Sequence, residues 1–119
     1  MRHVTNEMLK DCSTSELFCF SLDCAQCGMQ WKSTAVPFSK AGVIPQTEGK
    51  RIIFETLYRK EKETAVCKAV EEAANVFNLC PICGHLVCDR CFLLCTDLDL
   101  CASCAGQLHE QGEPVMRYA

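Results

Sequence analysis

Alternating apolar residues near the beginning of the chain predict a short strand. Phe18, Phe20 and Leu22 recur at every second position, which is the period of a strand with one buried face. The segment CAQCG follows, and MQWKSTAV after it contains several residues that favour strands. We therefore predict a β-hairpin over residues 16–36, with a C-x2-C-G turn at its tip.

The segments on either side of this hairpin show no hydrophobic period. Residues 1–15 are mostly polar, and we expect them to form a flexible or loosely docked N-terminal arm. Residues 37–49, PFSKAGVIPQTEG, contain two prolines and two glycines and are predicted to be a loop.

The pattern changes to a helical period over residues 49–77. Thr47 is a candidate N-cap, and Asn78 lies where such a helix would end. Apolar residues recur there at steps of three and four: Phe54, Leu57, Tyr58, Ala65, Val66, Ala69, Val70, Ala73 and Phe77. One continuous helix would be about 43 Å long. It therefore either breaks near residues 59–63, where the apolar stripe thins, or projects to meet a partner; a strand over 51–58 before a shorter helix is less favoured.

The C-terminal third is dominated by closely spaced cysteines. CPICGHLVCDRC runs from Cys80 to Cys91 and contains two C-x2-C pairs separated by four residues. FLLCTDLDL after it predicts a hairpin that turns near residues 96–99. CASCAGQLHEQG then places Cys101 and Cys104 on the first turn of a terminal helix.

Composition indicates a scaffold that depends on its cysteines. The chain has 119 residues, the size of one domain, and twelve of them are cysteines. The N-terminal segment is too polar for a signal peptide or a membrane span, so we expect a cytoplasmic protein in which paired cysteines bind metal. The formal net charge of −3 argues against a nucleic-acid or anionic-membrane partner.

Four C-x2-C pairs indicate two metal sites with four cysteine ligands each. Structural zinc is tetrahedral, and each pair presents two thiolates to one edge of the tetrahedron, so we expect two Zn²⁺ ions. The eight predicted ligands are Cys24, Cys27, Cys80, Cys83, Cys88, Cys91, Cys101 and Cys104.

Three pairings of the C-x2-C units are possible. Sequential pairing would fold residues 84–87 back sharply around one ion, and a third pairing would join the two C-x2-C-G turns as in rubredoxin. We favour alternating pairing, because the apolar link GHLV can then run extended between two ions. It assigns Cys24, Cys27, Cys88 and Cys91 to site 1 and Cys80, Cys83, Cys101 and Cys104 to site 2.

The order of the cysteines resembles that of cross-brace zinc modules of the FYVE and PHD type, which are built on a treble clef. The likeness covers about a third of the chain and is closest in CPICGHLVCDRC, which is similar to the FYVE-type pattern C-x2-C-G-x2-[FV]-C-x2-C. It implies alternating ligand pairs, a cross-brace core over residues 80–111 with a treble-clef-like C-terminal half, and a second site at a helix N-terminus.

The likeness does not extend to the residues that bind lipid. FYVE-type modules carry a basic, histidine-rich motif before the third cysteine, where this chain has EEAANVFNLC. Phosphoinositide binding is therefore not expected. The whole chain also resembles uncharacterised bacterial proteins of the zinc-ribbon type, which implies no activity.

Together these patterns predict a single small α+β domain stabilised by zinc, with β-hairpin zinc knuckles and a helical insertion between ligand pairs. We expect a non-enzymatic module that binds a protein partner, or itself, through helix 49–77, because no nucleophile–base set or phosphate loop is evident. The alternatives are a rubredoxin-like iron protein for electron transfer and a zinc ribbon that binds nucleic acid. The four remaining thiols are expected to be buried as small hydrophobes: Cys12, Cys19, Cys67 and Cys95.

Overall fold

The structure is a computed structural model that describes residues 4–116 of the chain. These residues form an α+β arrangement with several small antiparallel sheets, and they divide into two compact units. The helix unit contains Thr5–Leu22 and Lys32–Glu72, and the cysteine unit contains residue 4, Asp23–Trp31 and residues 73–116. The single domain expected from chain length stays a prediction.

One long helix, α1, runs unbroken from Glu48 to Ala74. Thr47 caps it as predicted: its Oγ1 accepts a hydrogen bond from the Lys50 N–H at 3.1 Å. The Arg51 guanidinium bonds to Glu48 and lies 2.8 Å from Glu55 Oε1, which supports the first turns. The break near residues 59–63 and the strand over 51–58 do not occur.

The predicted end of the helix is wrong by one turn. α1 ends at Ala74, the Val76 N–H donates to the Ala73 carbonyl at 2.9 Å, and Phe77–Leu79 form a strand, β6. Phe77 continues the apolar spacing of the helix, but it is fully buried opposite Cys88 of a neighbouring strand. Tertiary packing therefore overrides the local period at this position.

Aromatic residues form the core of the helix unit. Phe38 packs edge-to-face on Tyr58, with ring centroids 5.1 Å apart, and the Tyr58 hydroxyl donates to the Thr14 carbonyl at 2.9 Å. The buried members of this cluster are Phe18, Phe20, Phe38, Ala65 and Ala69. This packing fixes one face of α1.

Five short strands precede α1 along the described chain. They are β1 (Lys10–Asp11), β2 (Leu17–Phe18), β3 (Phe20–Asp23), β4 (Gln30–Lys32) and β5 (Val36–Pro37). β1, β3 and β4 form one sheet in that order, and β2 pairs antiparallel with β5. The sequence predicts a loose arm over residues 1–15 and a loop from residue 37, yet β1 and β5 are paired strands; residues 1–3 of the arm lie outside the described residues.

The C-terminal part of the cysteine unit contains two hairpins, one added strand and one short helix. β6 pairs antiparallel with β7 (Leu86–Cys88), and β8 (Phe92–Cys95) pairs with β9 (Leu100–Cys101) and β10 (Gly112–Pro114). The predicted hairpin that turns near residues 96–99 is confirmed, and Asp99 Oδ1 accepts from the Cys95 N–H at 3.2 Å.

The terminal helix, α2, spans Ala102–Gln107 with Cys101 as its N-cap, so its predicted start is confirmed. Inside the same unit, Trp31 packs edge-to-face on Phe77 at a centroid distance of 6.1 Å. Over residues 4–116, neither helix is long and apolar enough to cross a membrane.

Candidate metal centre

Eight cysteines of the cysteine unit form two groups, and each group can hold a metal ion. Within a group, the four sulfur atoms all lie within 4.8 Å of one another. Site 1 consists of Cys24, Cys27, Cys88 and Cys91. Site 2 consists of Cys80, Cys83, Cys101 and Cys104. This grouping is the alternating one.

The other two pairings do not occur as groups among residues 4–116. Cys83 belongs to one site and Cys88 to the other, so the two C-x2-C pairs of CPICGHLVCDRC belong to different metal sites. The link between them is extended at its end, where Leu86–Cys88 form β7. The two C-x2-C-G turns also belong to different sites.

The distances between sulfur atoms fit a tetrahedral metal centre. In site 1, Cys88 Sγ lies 3.7 Å from both Cys27 Sγ and Cys91 Sγ, and in site 2, Cys83 Sγ lies 3.8 Å from Cys101 Sγ. A zinc–sulfur bond of about 2.3 Å requires tetrahedral edges of about 3.8 Å. These separations far exceed the roughly 2.05 Å of a disulfide bond. The donor set and its spacing therefore suit a four-coordinate thiolate site.

Each site begins with a knuckle of the same local geometry. The first runs from Cys24 to Gly28: the Gly28 N–H donates to the Cys24 carbonyl at 3.0 Å, and Gly28 has a φ of 75°. The second runs from Cys80 to Gly84, with the corresponding bond at 2.8 Å and a φ of 74°. Glycine adopts this left-handed conformation without strain, which explains the C-x2-C-G pattern.

The other half of each site follows a common plan. The first cysteine is the last residue of a strand and also the N-cap of the helical turn that follows. The second cysteine lies on that turn. In site 1 the N-cap is Cys88, and the turn is a 3-10 turn, Asp89–Cys91. In site 2 it is Cys101, whose sulfur accepts from the Cys104 N–H at 3.4 Å as α2 begins. Both sites are thus a knuckle joined to a capped turn.

Backbone N–H groups surround one sulfur of site 1. Cys24 Sγ accepts from the N–H groups of Gln26, Cys27 and Cys88, at 3.4, 3.5 and 3.3 Å. Burial raises the pKa of the Cys24 thiol, but these donors together outweigh burial and lower the pKa to about 6. Cys24 is therefore prepared to act as a thiolate ligand.

Site 2 has an equivalent sulfur on Cys80. Burial raises the pKa of this thiol, while backbone hydrogen bonds from Cys101, Cys83 and Ile82 outweigh burial and lower the pKa to about 6. In both sites the stabilised thiolate is therefore the first cysteine of a knuckle.

Three other thiols, those of Cys91, Cys101 and Cys104, have raised pKa values. Burial, followed by contact with neighbouring sulfurs, raises the pKa of Cys91, and burial is also the main cause that raises the pKa of Cys101. The hydrogen bond with Cys101, followed by burial, raises the pKa of Cys104 to about 12. Several adjacent thiolates repel one another unless a cation lies between them. Full ionisation of either group therefore requires a bound cation.

Two side chains contact the sulfurs in ways that the cysteine spacing does not reveal. Gln26 Nε2 donates to Cys101 Sγ at 3.4 Å and so links the first knuckle to site 2. Arg90 donates to the Cys88 sulfur, which raises the pKa of the guanidinium. The sequence itself indicated a role for Arg90, because this residue lies between the two cysteines of one C-x2-C pair. No local signal exists for Gln26, which is distant from Cys101 in sequence.

Exposure differs among the eight cysteines. Most are buried, but Cys27 and Cys83, the second cysteines of the two knuckles, are exposed, and Cys91 is half-buried. His85 follows the second knuckle and lines a cavity beside Cys83, yet it belongs to neither group. One edge of each site thus faces solvent.

The expectation that the four remaining thiols are buried is wrong. Cys12 and Cys67 are exposed, and Cys19 and Cys95 are half-buried. Cys67 lies on α1, where Ala65, Ala69 and Val70 occupy the buried face instead. None of the four belongs to a group of possible metal ligands within the described part of the chain.

Comparisons with known proteins returned no match: no family model, curated protein or solved structure is significantly similar to this chain.

Proposed function

We propose that the protein is a non-enzymatic interaction module whose cysteine unit is built around two structural zinc ions. The observation that carries this proposal is the pair of four-sulfur groups with edges of 3.7 and 3.8 Å. Zinc has no redox chemistry and readily accepts four thiolates in a tetrahedron. We place the protein in a reducing compartment such as the cytoplasm, where cysteine thiols stay reduced.

The order of elements around site 2 supports a treble-clef arrangement. A knuckle is followed by a β-hairpin, β8–β9, and then by a helix that begins with the remaining ligands. The alternating ligand pairs of FYVE- and PHD-type modules agree with this arrangement. We extend the resemblance to the scaffold alone, because the chain lacks the basic motif that binds lipid.

The composition of the core explains why the cysteine unit would need metal. Its large buried side chains are few, and Phe77, Val87 and Phe92 are among them. Cysteine ligands occupy much of the remaining core: Cys24, Cys80, Cys88, Cys101 and Cys104 are all buried. Small units with little apolar core are commonly stabilised by zinc, whose binding free energy then contributes to folding.

A structural role follows from the number of ligands. Four thiolates in each site fill the four tetrahedral positions of one ion, whereas catalytic zinc keeps a position open for water or substrate. This supports a module without enzymatic activity.

The interaction surface that we propose lies on the helix unit, along α1. Two adjoining cavities of about 320 and 350 Å³ share Leu57 and follow the helix from Lys50 to Lys68. The part of α1 from Lys50 to Lys68 is about 27 Å long. Ile44 and Ile53 line the first cavity and are 76% and 67% exposed, which is unusual for isoleucine. We call the two cavities together the lysine groove.

The charged residues of the lysine groove are mostly basic. Four lysines line it: Lys40, Lys50, Lys60 and Lys68. Its one acidic residue, Glu61, already accepts hydrogen bonds from the N–H and the hydroxyl of Ser39. Within residues 4–116, Lys50, Lys60 and Lys68 form no ion pair. The groove therefore combines exposed apolar side chains with positive charge, although the chain as a whole is acidic.

The occupant that this surface fits is an acidic segment of another protein that presents large apolar side chains on one face of a helix. Apolar side chains would contact Ile44, Ile53 and Leu57, and carboxylates would contact the lysines. An acidic helical segment is therefore the partner that we propose, and nucleic-acid binding is an outcome of the test.

The zinc sites are tested by metal analysis of the chain purified under reducing conditions. We expect two zinc ions per chain, no iron and no visible absorption, since zinc has a filled d shell. A red protein that contains iron would contradict the structural role and favour electron transfer. Cys67→Ser, which removes a thiol outside both sites, is the control and should keep both ions.

The interaction surface is tested with a synthetic helical peptide that has leucines on one face and glutamates on the others. We expect the zinc-loaded chain to bind it, and Lys60→Glu with Lys68→Glu to weaken binding about tenfold by fluorescence anisotropy. Lys32→Glu, which reverses an exposed charge outside the groove, should leave the affinity unchanged.

Three results would contradict this partner. They are equal binding of a peptide with lysines in place of glutamates, a loss of affinity in Lys32→Glu that matches the groove variant, and tight binding of single-stranded DNA at physiological salt. None of them would alter the zinc content, so the groove and the metal sites are tested separately.

A further inference from the structure

Two of the cysteines outside the metal sites face each other across a pair of strands. β1 and β3 are antiparallel, with Lys10 opposite Ser21 and Asp11 opposite Phe20. The next step of this register places Cys12 opposite Cys19, and the Cys12 N–H donates to the Cys19 carbonyl at 2.9 Å. Opposed residues in antiparallel strands have Cα atoms about 4.5–5.5 Å apart. A disulfide bond accepts Cα separations of about 4.4–6.8 Å.

The register predicts that the two side chains lie on the same face of the strand pair. Directly opposed residues project to one side, and so do residues two positions apart on a strand. Cys12 Sγ lies 3.4 Å from the hydroxyl oxygen of Ser21, which is two residues after Cys19. The sulfur of Cys12 is therefore on the side of β3 where the side chain of Cys19 is expected.

Exposure gives the two thiols different roles. Cys12 is exposed, so an oxidant in solution can reach it. Cys19 is half-buried, and its sulfur contacts the Ser33 carbonyl at 3.7 Å. The Ser13 hydroxyl accepts from the Cys19 N–H at 3.1 Å and so holds together the two ends of the segment that connects β1 to β3. An accessible thiol therefore lies opposite a sheltered one.

We propose that Cys12 and Cys19 form a reversible oxidation site that is independent of the metal sites. A peroxide is the oxidant. The Cys12 thiolate attacks one peroxide oxygen, the O–O bond breaks, and a sulfenic acid and hydroxide form, the latter taking up a proton to give water. The Cys19 sulfur then attacks the Cys12 sulfur, the S–O bond breaks, and a disulfide and a second water form. Hydrogen peroxide is reduced by two electrons and the two thiols are oxidised; a dithiol reductant restores them.

The disulfide would connect the end of β1 to the start of β3. It would turn the segment from Cys12 to Cys19 into a covalently closed loop. The register already opposes the two residues, so β1 and β3 can keep their pairing when the disulfide forms. Cys67 and Cys95 are the internal comparison, since they are thiols outside the metal sites that lie on other elements, α1 and β8.

The test is peptide mapping of the zinc-loaded full chain after treatment with hydrogen peroxide. Glu16 lies between the two cysteines, so a protease that cleaves after glutamate leaves Cys12 and Cys19 on separate peptides. These peptides stay joined under non-reducing conditions only if a disulfide connects them. We expect fragment spectra to show the Cys12–Cys19 link, with zinc content unchanged and Cys67 alkylated as a free thiol.

Variants make the result specific. Cys19→Ser should abolish the linked peptide and leave Cys12 as a sulfenic acid that dimedone traps, whereas Cys67→Ser and Cys95→Ser should keep the link. The proposal is overturned if Cys12 joins any other cysteine in preference to Cys19. It is equally overturned if the zinc ligands oxidise and release zinc while Cys12 remains a free thiol.

Discussion

At the scale of single residues, hydrogen bonds to sulfur separate two cysteines from the other proposed ligands. Cys24 and Cys80 are the first cysteines of their knuckles, and backbone donors lower the pKa of each to about 6. Cys91 and Cys104 belong to the capped turns, and the pKa of each is raised. One thiolate per site is thus favoured by backbone hydrogen bonds, while ionisation of Cys91 and Cys104 requires a bound cation.

This difference predicts how metal retention depends on pH. The lowered pKa values of Cys24 and Cys80 mean that their thiolates stabilise the fold fully above pH 9 and lose this effect as pH falls through about 6. Protons compete with zinc for the same sulfurs, and bound zinc lowers the pKa of each thiolate ligand further, so acidification to well below pH 6 should release both ions. A chromophoric zinc chelator measures the release. Zinc retention that does not change with pH would contradict the thiolate ligands.

The sequence predicts individual ligands well and their supporting contacts poorly. The C-x2-C spacing identified all eight cysteines of the two groups, because two cysteines three residues apart can reach one ion from a single turn. It gave no indication that Gln26 would donate to Cys101, since that contact exists only after the chain folds. It also misjudged Cys12, whose exposure depends on strand pairing rather than on residue type.

At the scale of elements, the knuckle is the unit that both sites repeat. Gly28 and Gly84 each have positive φ, and no atom lies within 4 Å of the position that a Cβ would occupy. The requirement for glycine at these two turns is therefore one of backbone conformation and not of space.

We predict that Gly84→Ala destabilises the zinc-loaded chain by about 1 kcal/mol, because alanine resists the left-handed conformation. Gly84→Asn should cost less, since asparagine adopts it more readily. Gly106→Ala is the matched control: its Cβ also meets open space, but it lies in α2, where alanine favours the helix. Chemical denaturation gives the three values, and equal losses in Gly84→Ala and Gly106→Ala would contradict this explanation.

The element boundaries show where local pattern stops being informative. Thr47 was identified as a cap because its position before a helical period is a local signal. Phe77 was assigned to the helix because its spacing fits, but pairing with Cys88 places it in β6. β1 was missed, since a two-residue strand contains too few residues to show a period.

At the scale of the whole molecule, average properties conceal local ones. A net charge of −3 predicts little attraction to acidic partners, yet four lysines line one groove beside α1. Average charge carries no information about which residues a fold brings together. The α+β class followed from the patterns, whereas the division into two units depends on contacts distant in sequence.

The pairing of ligands can be tested by removing complete sets of cysteines. A variant with serine in place of all four site 1 cysteines leaves site 2 whole if the pairing alternates. Under either other pairing, the same variant damages both sites, because each would lose two ligands. The matched variant has serine in place of the four cysteines that sequential pairing would assign to one ion: Cys80, Cys83, Cys88 and Cys91.

The most direct measurement is therefore the zinc content of these two variants by native mass spectrometry, beside the unmodified chain. We expect two ions in the unmodified chain, one in the variant without Cys24, Cys27, Cys88 and Cys91, and none in the variant without the sequential set. One ion in the sequential variant and none in the site 1 variant would show that the two sites are paired differently.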